Sequence, residues 1–190
     1  MRIISGIFRG KKLIKFNKVG IKPTTDKTRE SIFNIIISYL KINEINNNLP
    51  LQGFNVLDIF AGTGALGLEA ISRGAEKVTF IEKSKDNLKV LYKNVDHLDV
   101  NKKVKIIKRS IGKVKKIDGK FDLVFMDPPY KMDEIFNKTL KKVLEFKIIK
   151  DNSLIILEHA RKKKIIIPKV FKIIKEKNYG NSSLTLIKVK

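Results

Sequence analysis

The residues best suited to chemistry form the tetrapeptide Asp127-Pro128-Pro129-Tyr130, which directly follows a mostly apolar run at 121–126. An amino group on an aromatic base is a weak nucleophile, because its lone pair is delocalised into the ring. Two acceptors that hold its N–H groups stabilise the charge that develops when it reacts. The Asp127 carboxylate and the Pro128 carbonyl are the candidate acceptors, since two prolines fix the local backbone. The Tyr130 ring offers a surface for base stacking.

A glycine-rich turn is the second candidate site. Gly62, Gly64 and Gly67 have G-x-G-x-x-G spacing between a predicted strand and a predicted helix, and Glu82 stands twenty residues after Gly62. The first two glycines allow a tight turn and close approach of a ligand, and Gly67 lets the helix pack on the sheet. The spacing alone is also compatible with a dinucleotide site.

Asp58 indicates which ligand the turn would take. It lies four residues before Gly62, where a carboxylate repels a pyrophosphate and attracts an ammonium group. S-adenosylmethionine carries an ammonium, a cationic sulfonium and a ribose, and it has no phosphate. Glu82, at the end of the next strand, could accept hydrogen bonds from the ribose hydroxyls. The sequence therefore favours S-adenosylmethionine over a nicotinamide dinucleotide.

The elements around these motifs predict a doubly wound α/β domain. Short apolar runs that alternate with helix-like segments indicate a parallel sheet covered on both faces. In such sheets, ligands bind outside the carboxyl ends of the strands, so the two motifs should face one crevice. The predicted strands are 54–60, 77–81, 103–108, 121–126 and 153–158, and the predicted helices are 65–73, 84–98 and 132–146. A β-rich tail at 165–167, 170–176 and 183–189 would close the sheet as a hairpin.

The amino-terminal part has a different pattern. Residues 2–14 predict a short β-ribbon that turns near Gly10, and residues 26–40 predict an amphipathic helix. An asparagine-rich loop at 43–51 follows. We therefore expect an N-terminal extension over 1–50 and an S-adenosylmethionine-binding domain over 51–190.

Composition points to a polyanionic partner. The chain has 41 Lys and Arg against 19 Asp and Glu, a net charge of +22. Nucleic acid is the commonest partner of such a surface. The alternative is codon bias, because only six of the 41 basic residues are Arg.

With no cysteine and two distant histidines, no metal site is predicted. No leader or membrane span is recognised, so a cytoplasmic protein is expected.

Taken together, the motifs resemble one family. Asp58…Gly62-Thr63-Gly64 with the Asp-Pro-Pro-Tyr tetrapeptide resembles the class I S-adenosylmethionine-dependent amino-methyltransferases. Residues 1–6, 9–13 and 22–34 are similar to the N-terminal signature of the RsmD family, and the similarity continues to the Tyr179-Gly180 pair.

The resemblance implies a seven-stranded Rossmann-like methyltransferase sheet and methylation of guanine N2. Its implied substrate is 16S rRNA or the assembling small ribosomal subunit, and its implied cofactor is S-adenosylmethionine. The implied catalytic residues are Asp127, Pro128, Pro129 and Tyr130. The implied cofactor-binding residues are Asp58, Phe60, Ala61, Gly62, Thr63, Gly64, Glu82, Lys83 and Ser110. The expected RNA-binding residues are Arg2, Arg9, Lys11, Lys12 and Arg29.

Ser110 departs from the family pattern, which usually has an acidic residue near the adenine amine. Lys22 and Phe8 also depart, standing where Arg and Trp are usual.

Three other functions are compatible with parts of the sequence. An adenine-N6 DNA methyltransferase can use the same tetrapeptide, although 190 residues leave no visible DNA-recognition domain. An NAD-binding oxidoreductase fits the glycine spacing and is disfavoured by Asp58. A non-catalytic RNA-binding protein is disfavoured by the intact tetrapeptide.

Overall fold

The computed structural model describes residues 1–15, 25–41, 49–128, 134–162 and 165–190. Within these ranges the helices are α1 (Asp26–Leu40), α2 (Ala65–Ser72), α3 (Lys85–His97) and α4 (Ile135–Glu145). The strands are β1 (Asn55–Ile59), β2 (Lys77–Ile81), β3 (Val104–Ile107), β4 (Phe121–Met126), β5 (Ile149–Ala160), β6 (Phe171–Tyr179) and β7 (Ser182–Val189). No helix in the described ranges is both long and apolar enough to span a membrane.

One seven-stranded sheet organises the chain. Its strand order is β3-β2-β1-β4-β5-β7-β6. The first five strands of that order pair in parallel, and β7 runs antiparallel to both β5 and β6. From β1 the chain proceeds outward through β2 to β3, and it then returns to the other side of β1 as β4. The carboxyl ends of β1 and β4 therefore form the switch point at which doubly wound sheets bind ligands.

Alternating residues of the strands build a core on each face of the sheet. On β4, Leu123 and Phe125 join the cluster that packs under α1, α2 and α3, whereas Val124 and Met126 join the cluster under α4. These residues are essentially fully buried. Burial on both faces explains why the strands are continuous apolar runs rather than alternating ones.

The predicted doubly wound sheet is confirmed, and the predicted helix at 26–40 coincides with α1. Thr25 caps this helix, since its hydroxyl accepts from the Thr28 N–H at 3.1 Å. The tail prediction is partly wrong, because residues 165–167 form no strand. Ile165 and Ile167 instead pack against the cluster under α4. Pro168 follows them, and its missing N–H disfavours continued strand pairing.

The N-terminal segment is attached to the far end of α2. Its two arms pair in antiparallel fashion at Arg2 and Lys12, as the predicted ribbon requires. Buried Glu69 accepts the backbone N–H groups of Ile4 at 2.8 Å and Ser5 at 3.0 Å. Gly6 lies so close to α2 that a Cβ would be 1.8 Å from the Ser72 carbonyl oxygen. The segment thus shares backbone contacts and core with the sheet domain, and the division at residue 50 stays a prediction.

Gly67→Ala tests the packing of α2 on the sheet. A Cβ at Gly67 would lie 2.3 Å from the buried Phe80 ring, so we expect a loss of about 1–3 kcal/mol in the free energy of unfolding. Helix propensity alone would predict an increase of about 1 kcal/mol in the free energy of unfolding, so the sign of the measured change shows which effect is larger. Gly112→Ala is the control, because a Cβ added there would have no atom within 4 Å. Equal unfolding free energies for both variants in urea would contradict the packing argument.

Candidate active site

The glycine turn begins where β1 ends and is fixed by its own backbone. The N–H groups of Phe60 and Ala61 both donate to the Ile81 carbonyl of β2, at 3.0 and 3.1 Å. Phe60 and Gly62 have φ values of +69° and +57°, so the chain reverses tightly here. A Cβ at Gly62 would meet no atom within 4 Å, so the turn faces open space that a ligand can fill. Thr63 and Gly64 complete the turn and lead into α2.

Asp58 lies beneath this turn with only 2% of its surface exposed. Its Oδ2 accepts the N–H of Gly67 at 3.0 Å. Gly67 is the third residue of α2, whose capping position, Gly64, has no side chain to satisfy that donor. Asp58 therefore caps α2 from the neighbouring strand, and when ionised its negative charge would also interact favourably with the positive end of the helix dipole.

Burial strongly favours the protonated form of this carboxyl group. It raises the pKa of Asp58 to about 8, and the negative charges of Asp127 and Glu82 act in the same direction. The hydrogen bond from Gly67 opposes the shift. The carboxyl groups of Asp58, Glu82 and Asp127 thus lie close enough to influence one another, and Asp58 is shielded from water. A cation bound there would stabilise the ionised form.

Glu82 joins the turn to the start of α3. One carboxylate oxygen accepts the Gly62 N–H at 2.7 Å, and the other accepts the backbone N–H groups of Lys83 and Ser84, each at 2.7 Å. Ionised carboxylates have about four acceptor positions. The Asn87 side-chain amide makes a fourth and longer contact, at 3.4 Å, to the oxygen that accepts the Gly62 N–H. A ligand hydroxyl could replace this longer contact. The predicted Lys83 contributes its backbone here, and its side chain is exposed.

Asp127 and Pro128 stand on the other side of the turn. Met126 pairs with Ile59 across β4 and β1, so Asp127 follows at the level of Phe60. Asp127 is half-buried and Pro128 is buried. Within the described part of the chain, no backbone N–H donates to the Pro128 carbonyl. Pro129 and Tyr130 lie outside the described residues, so their predicted roles stay predictions.

Ser110 lies at the same edge of the sheet, three residues after β3. It is half-exposed and precedes a short 3-10 turn, Ile111–Lys113. Its hydroxyl makes no capping hydrogen bond to that turn. The position agrees with a contact at the outer end of a bound nucleoside, and the contact itself stays a prediction.

The predicted RNA-binding residues lie elsewhere. The turn of the N-terminal ribbon contacts the last turn of α2, about 12 Å along that eight-residue helix from the glycine turn. Arg9, Lys11 and Lys12 are exposed there, and the Arg2 side chain is also largely exposed. Arg29 is fully buried and donates to the Arg2 carbonyl oxygen at 2.6 Å. A buried guanidinium presents no surface to RNA, so we remove Arg29 from the proposed RNA contacts.

Sequence reasoning missed Asn94. This buried α3 residue pairs with both backbone groups of Ile14: its amide oxygen accepts at 2.7 Å and its amide nitrogen donates at 3.2 Å. The same nitrogen donates to the Thr63 carbonyl at 3.0 Å. Asn94 thereby links the N-terminal segment to the glycine turn. A lone asparagine in a helix has no sequence signal for such distant partners.

The arrangement is an acidic crevice at the switch point, bounded by the glycine turn, Glu82 and Asp127. The Gly67 N–H, which could have bound an anion at the start of α2, is already used by Asp58. A pyrophosphate would therefore meet a carboxyl group and a donor already occupied. A ligand with a positive charge and hydroxyl donors suits this chemistry better.

A family model described as conserved hypothetical protein 95 matches residues 1–188. The chain belongs to this family, the RsmD family. The resemblance inferred from the motifs is thus confirmed over nearly the whole chain.

Individual relatives agree with the family. Ribosomal RNA small subunit methyltransferase D of Haemophilus influenzae is 35% identical over 190 residues, which cover 98% of this chain and 92% of the relative. The Escherichia coli protein of the same name is 31% identical over 158 residues, covering 83% of this chain and 74% of the relative.

Solved structures share the fold. A putative methyltransferase from Escherichia coli has a TM-score of 0.81 at 28% identity, covering 100% of this chain and 98% of that one. A putative methylase from Haemophilus influenzae has a TM-score of 0.76 at 32% identity, covering 99% and 97%. The Rossmann-like methyltransferase fold is therefore confirmed.

The pKa of Asp58 predicts a specific dependence of stability on pH. In the ligand-free protein Asp58 keeps its proton up to about pH 8, whereas in the unfolded chain it loses it near the ordinary value of 3.8. The stabilisation from the raised pKa is fully present below pH 4 and is lost as pH rises toward 8. Asp58→Asn keeps an oxygen for Gly67 and cannot titrate.

The difference in unfolding free energy, wild type minus Asp58→Asn, should therefore fall with pH. The expected slope between about pH 5 and pH 8 is about 1 kcal/mol per pH unit or less. Urea unfolding of both proteins across this range measures it. A difference that stays constant with pH would show that Asp58 is ionised throughout.

Proposed function

We propose that this chain transfers a methyl group from S-adenosylmethionine to the exocyclic N2 of a guanine in 16S rRNA. The observation that carries the proposal is the position of Asp127 and Pro128, beside an acidic glycine turn at the switch point of a methyltransferase fold. The names of the relatives support small-subunit rRNA as the substrate. The choice of guanine N2 rests on the family resemblance.

The residues present fit the proposed cofactor. Asp58 and Glu82 can supply negative charge for a ligand that carries an ammonium and a sulfonium, and the space above Gly62 is open. Glu82 could accept a ribose hydroxyl in place of its long contact with Asn87, and Ser110 would lie toward the adenine end. When bound, S-adenosylmethionine would supply an electrophilic methyl group.

The proposed role of Asp127 and Pro128 is to hold the target amine. The carboxylate and the buried proline's carbonyl would each accept one N–H, which orients the nitrogen lone pair and stabilises its developing charge. Asp127 or water can then take the proton that the methylated nitrogen loses. The target base must leave its stack to reach the crevice, so an RNA loop or an assembling subunit in the cytoplasm is the proposed substrate.

The alternatives have less support. An NAD site would place a pyrophosphate at the start of α2, where the Asp58 carboxyl group already caps the helix. No described residue favours adenine over guanine. The relatives' names point to ribosomal RNA rather than DNA.

Asp127→Ala tests the proposed activation. In an assay with methyl-labelled S-adenosylmethionine and an unmodified 16S rRNA transcript, turnover should fall by about 10²-fold or more. Cofactor affinity, measured by calorimetry, should stay nearly unchanged. Asp127→Asn should be milder, because an amide oxygen still accepts.

The matched control is Asp151→Ala, which removes an exposed acid at the opposite edge of the sheet. Its turnover should equal that of the wild type. Wild-type turnover in folded Asp127→Ala would show that this carboxylate does not activate the amine.

A further inference from the structure

The loops at the carboxyl edge of the sheet carry a set of exposed cations. Two follow β3, one follows β2 at the start of α3, and two follow β5. We name these residues the basic rim: Lys85, Lys108, Arg109, Arg161 and Lys162. The sequence continues with Lys163 and Lys164, which lie outside the described residues.

The described part of the chain does not neutralise the basic rim. None of its five members forms an ion pair with any residue that the structure describes. Other lysines do: Lys116 pairs with Asp118 at 2.8 Å and Lys138 with Glu134 at 2.6 Å. The rim charges are thus available to an external anion.

The opposite edge of the sheet has a different distribution of charge. At the amino ends of four parallel strands, β2 to β5, an exposed acid lies close to the lysines: Glu76, Asp99, Asp118 and Asp151. The segment before β1, residues 49–54, contains neither acids nor lysines. At the carboxyl edge the described exposed acids are Asp86 and Glu134, and Glu134 is paired with Lys138. General enrichment in lysine does not explain this difference between edges.

The basic rim flanks the acidic crevice on two sides. Its members after β3 and after β5 are separated by four strand spacings, about 19 Å, with the glycine turn and Asp127 between them. A polyanion laid across this edge would place phosphates at the rim, while the carboxylates would repel phosphates from the centre. A neutral base could enter the centre without that repulsion.

We propose that the basic rim is the surface that holds the RNA backbone while the target base enters the crevice. This inference rests on the proposed function and names its docking surface. It replaces the N-terminal ribbon as the main RNA contact, because the ribbon's turn lies at the far end of α2. Four or more phosphate contacts would give binding a strong dependence on salt.

Three variants, each losing four positive charges, test the location. The rim variant is Lys85→Gln, Arg109→Gln, Arg161→Gln and Lys162→Gln. The ribbon variant is Arg2→Gln, Arg9→Gln, Lys11→Gln and Lys12→Gln. The far-edge variant is Lys77→Gln, Lys102→Gln, Lys120→Gln and Lys147→Gln. All twelve residues are exposed, so the three variants are matched in charge and in exposure to solvent.

The measurement is the affinity for an unmodified 16S rRNA transcript between about 50 and 200 mM salt. The slope of log affinity against log salt should become shallower by about 0.7 per lost contact, about 2.8 in total, in the rim variant. At about 100 mM salt, the affinity of the rim variant for the transcript should be at least tenfold lower than that of the wild type. The ribbon and far-edge variants should keep the wild-type slope, and all three should keep wild-type affinity for S-adenosylmethionine.

An unchanged slope in the rim variant, or an equal loss in the ribbon or far-edge variant, would overturn the proposal. If the rim variant binds the cofactor poorly, the double variant Arg161→Gln and Lys162→Gln replaces it, with an expected change in slope of about 1.4. The methylation activity of the wild type distinguishes a wrong docking surface from a wrong proposed function. If it methylates rRNA while the rim variant keeps its slope, only the docking surface is wrong. If it fails to methylate rRNA, the proposed function falls as well.

Discussion

The hydrogen bond between the Asp58 carboxyl group and the Gly67 N–H is the interaction on which the site depends. It joins β1 to α2 across the glycine turn and satisfies a helix-terminal donor that Gly64, with no side chain, cannot satisfy. The turn can therefore use glycine where a close approach to ligand is needed, without losing the cap. The packing of α2 adds two further constraints. Gly67 must be small because the Phe80 ring packs against it, and Gly6 must be small because the Ser72 carbonyl lies against it.

The cost of this arrangement is a buried carboxyl group whose pKa is raised by burial and by two neighbouring acids. That cost has a functional consequence. A cationic ligand in the crevice would lower the pKa again, so its binding and the release of a proton from Asp58 would be linked. The same charges disfavour phosphate at the centre of the site. In the proposed function, an acidic crevice flanked by the basic rim would separate a cationic cofactor from a polyanionic substrate on one edge of the sheet.

The sequence was most informative where one local pattern decides the outcome. Apolar runs, glycine spacing and the amphipathic pattern of residues 26–40 predicted the strands, the turn and α1, because each depends on neighbours along the chain. Contacts between distant segments were not predictable in this way. The sequence suggested that Asp58 and Glu82 meet a ligand, and the structure shows that both also hold backbone N–H groups. Arg29 was expected to contact RNA, but it is fully buried and donates to the Arg2 carbonyl oxygen of the N-terminal segment, a partner 27 residues away. Residues 165–167 are apolar like a strand, but their isoleucines pack against the core under α4 and do not pair with a strand.

The central claim, that the crevice activates the amino group of guanine, can be tested at a single atom. The target nucleotide is first identified from label transferred to a 16S rRNA transcript, and inosine is then placed at that position. Inosine lacks the exocyclic amino group and keeps the O6 and N7 acceptors. If guanine N2 is the methyl acceptor, the substituted RNA should bind with a loss of about 1–3 kcal/mol at most, because water can partly replace the missing donor. Methyl transfer at that position should disappear. Methyl incorporation into inosine at the same position would contradict the assignment to guanine N2.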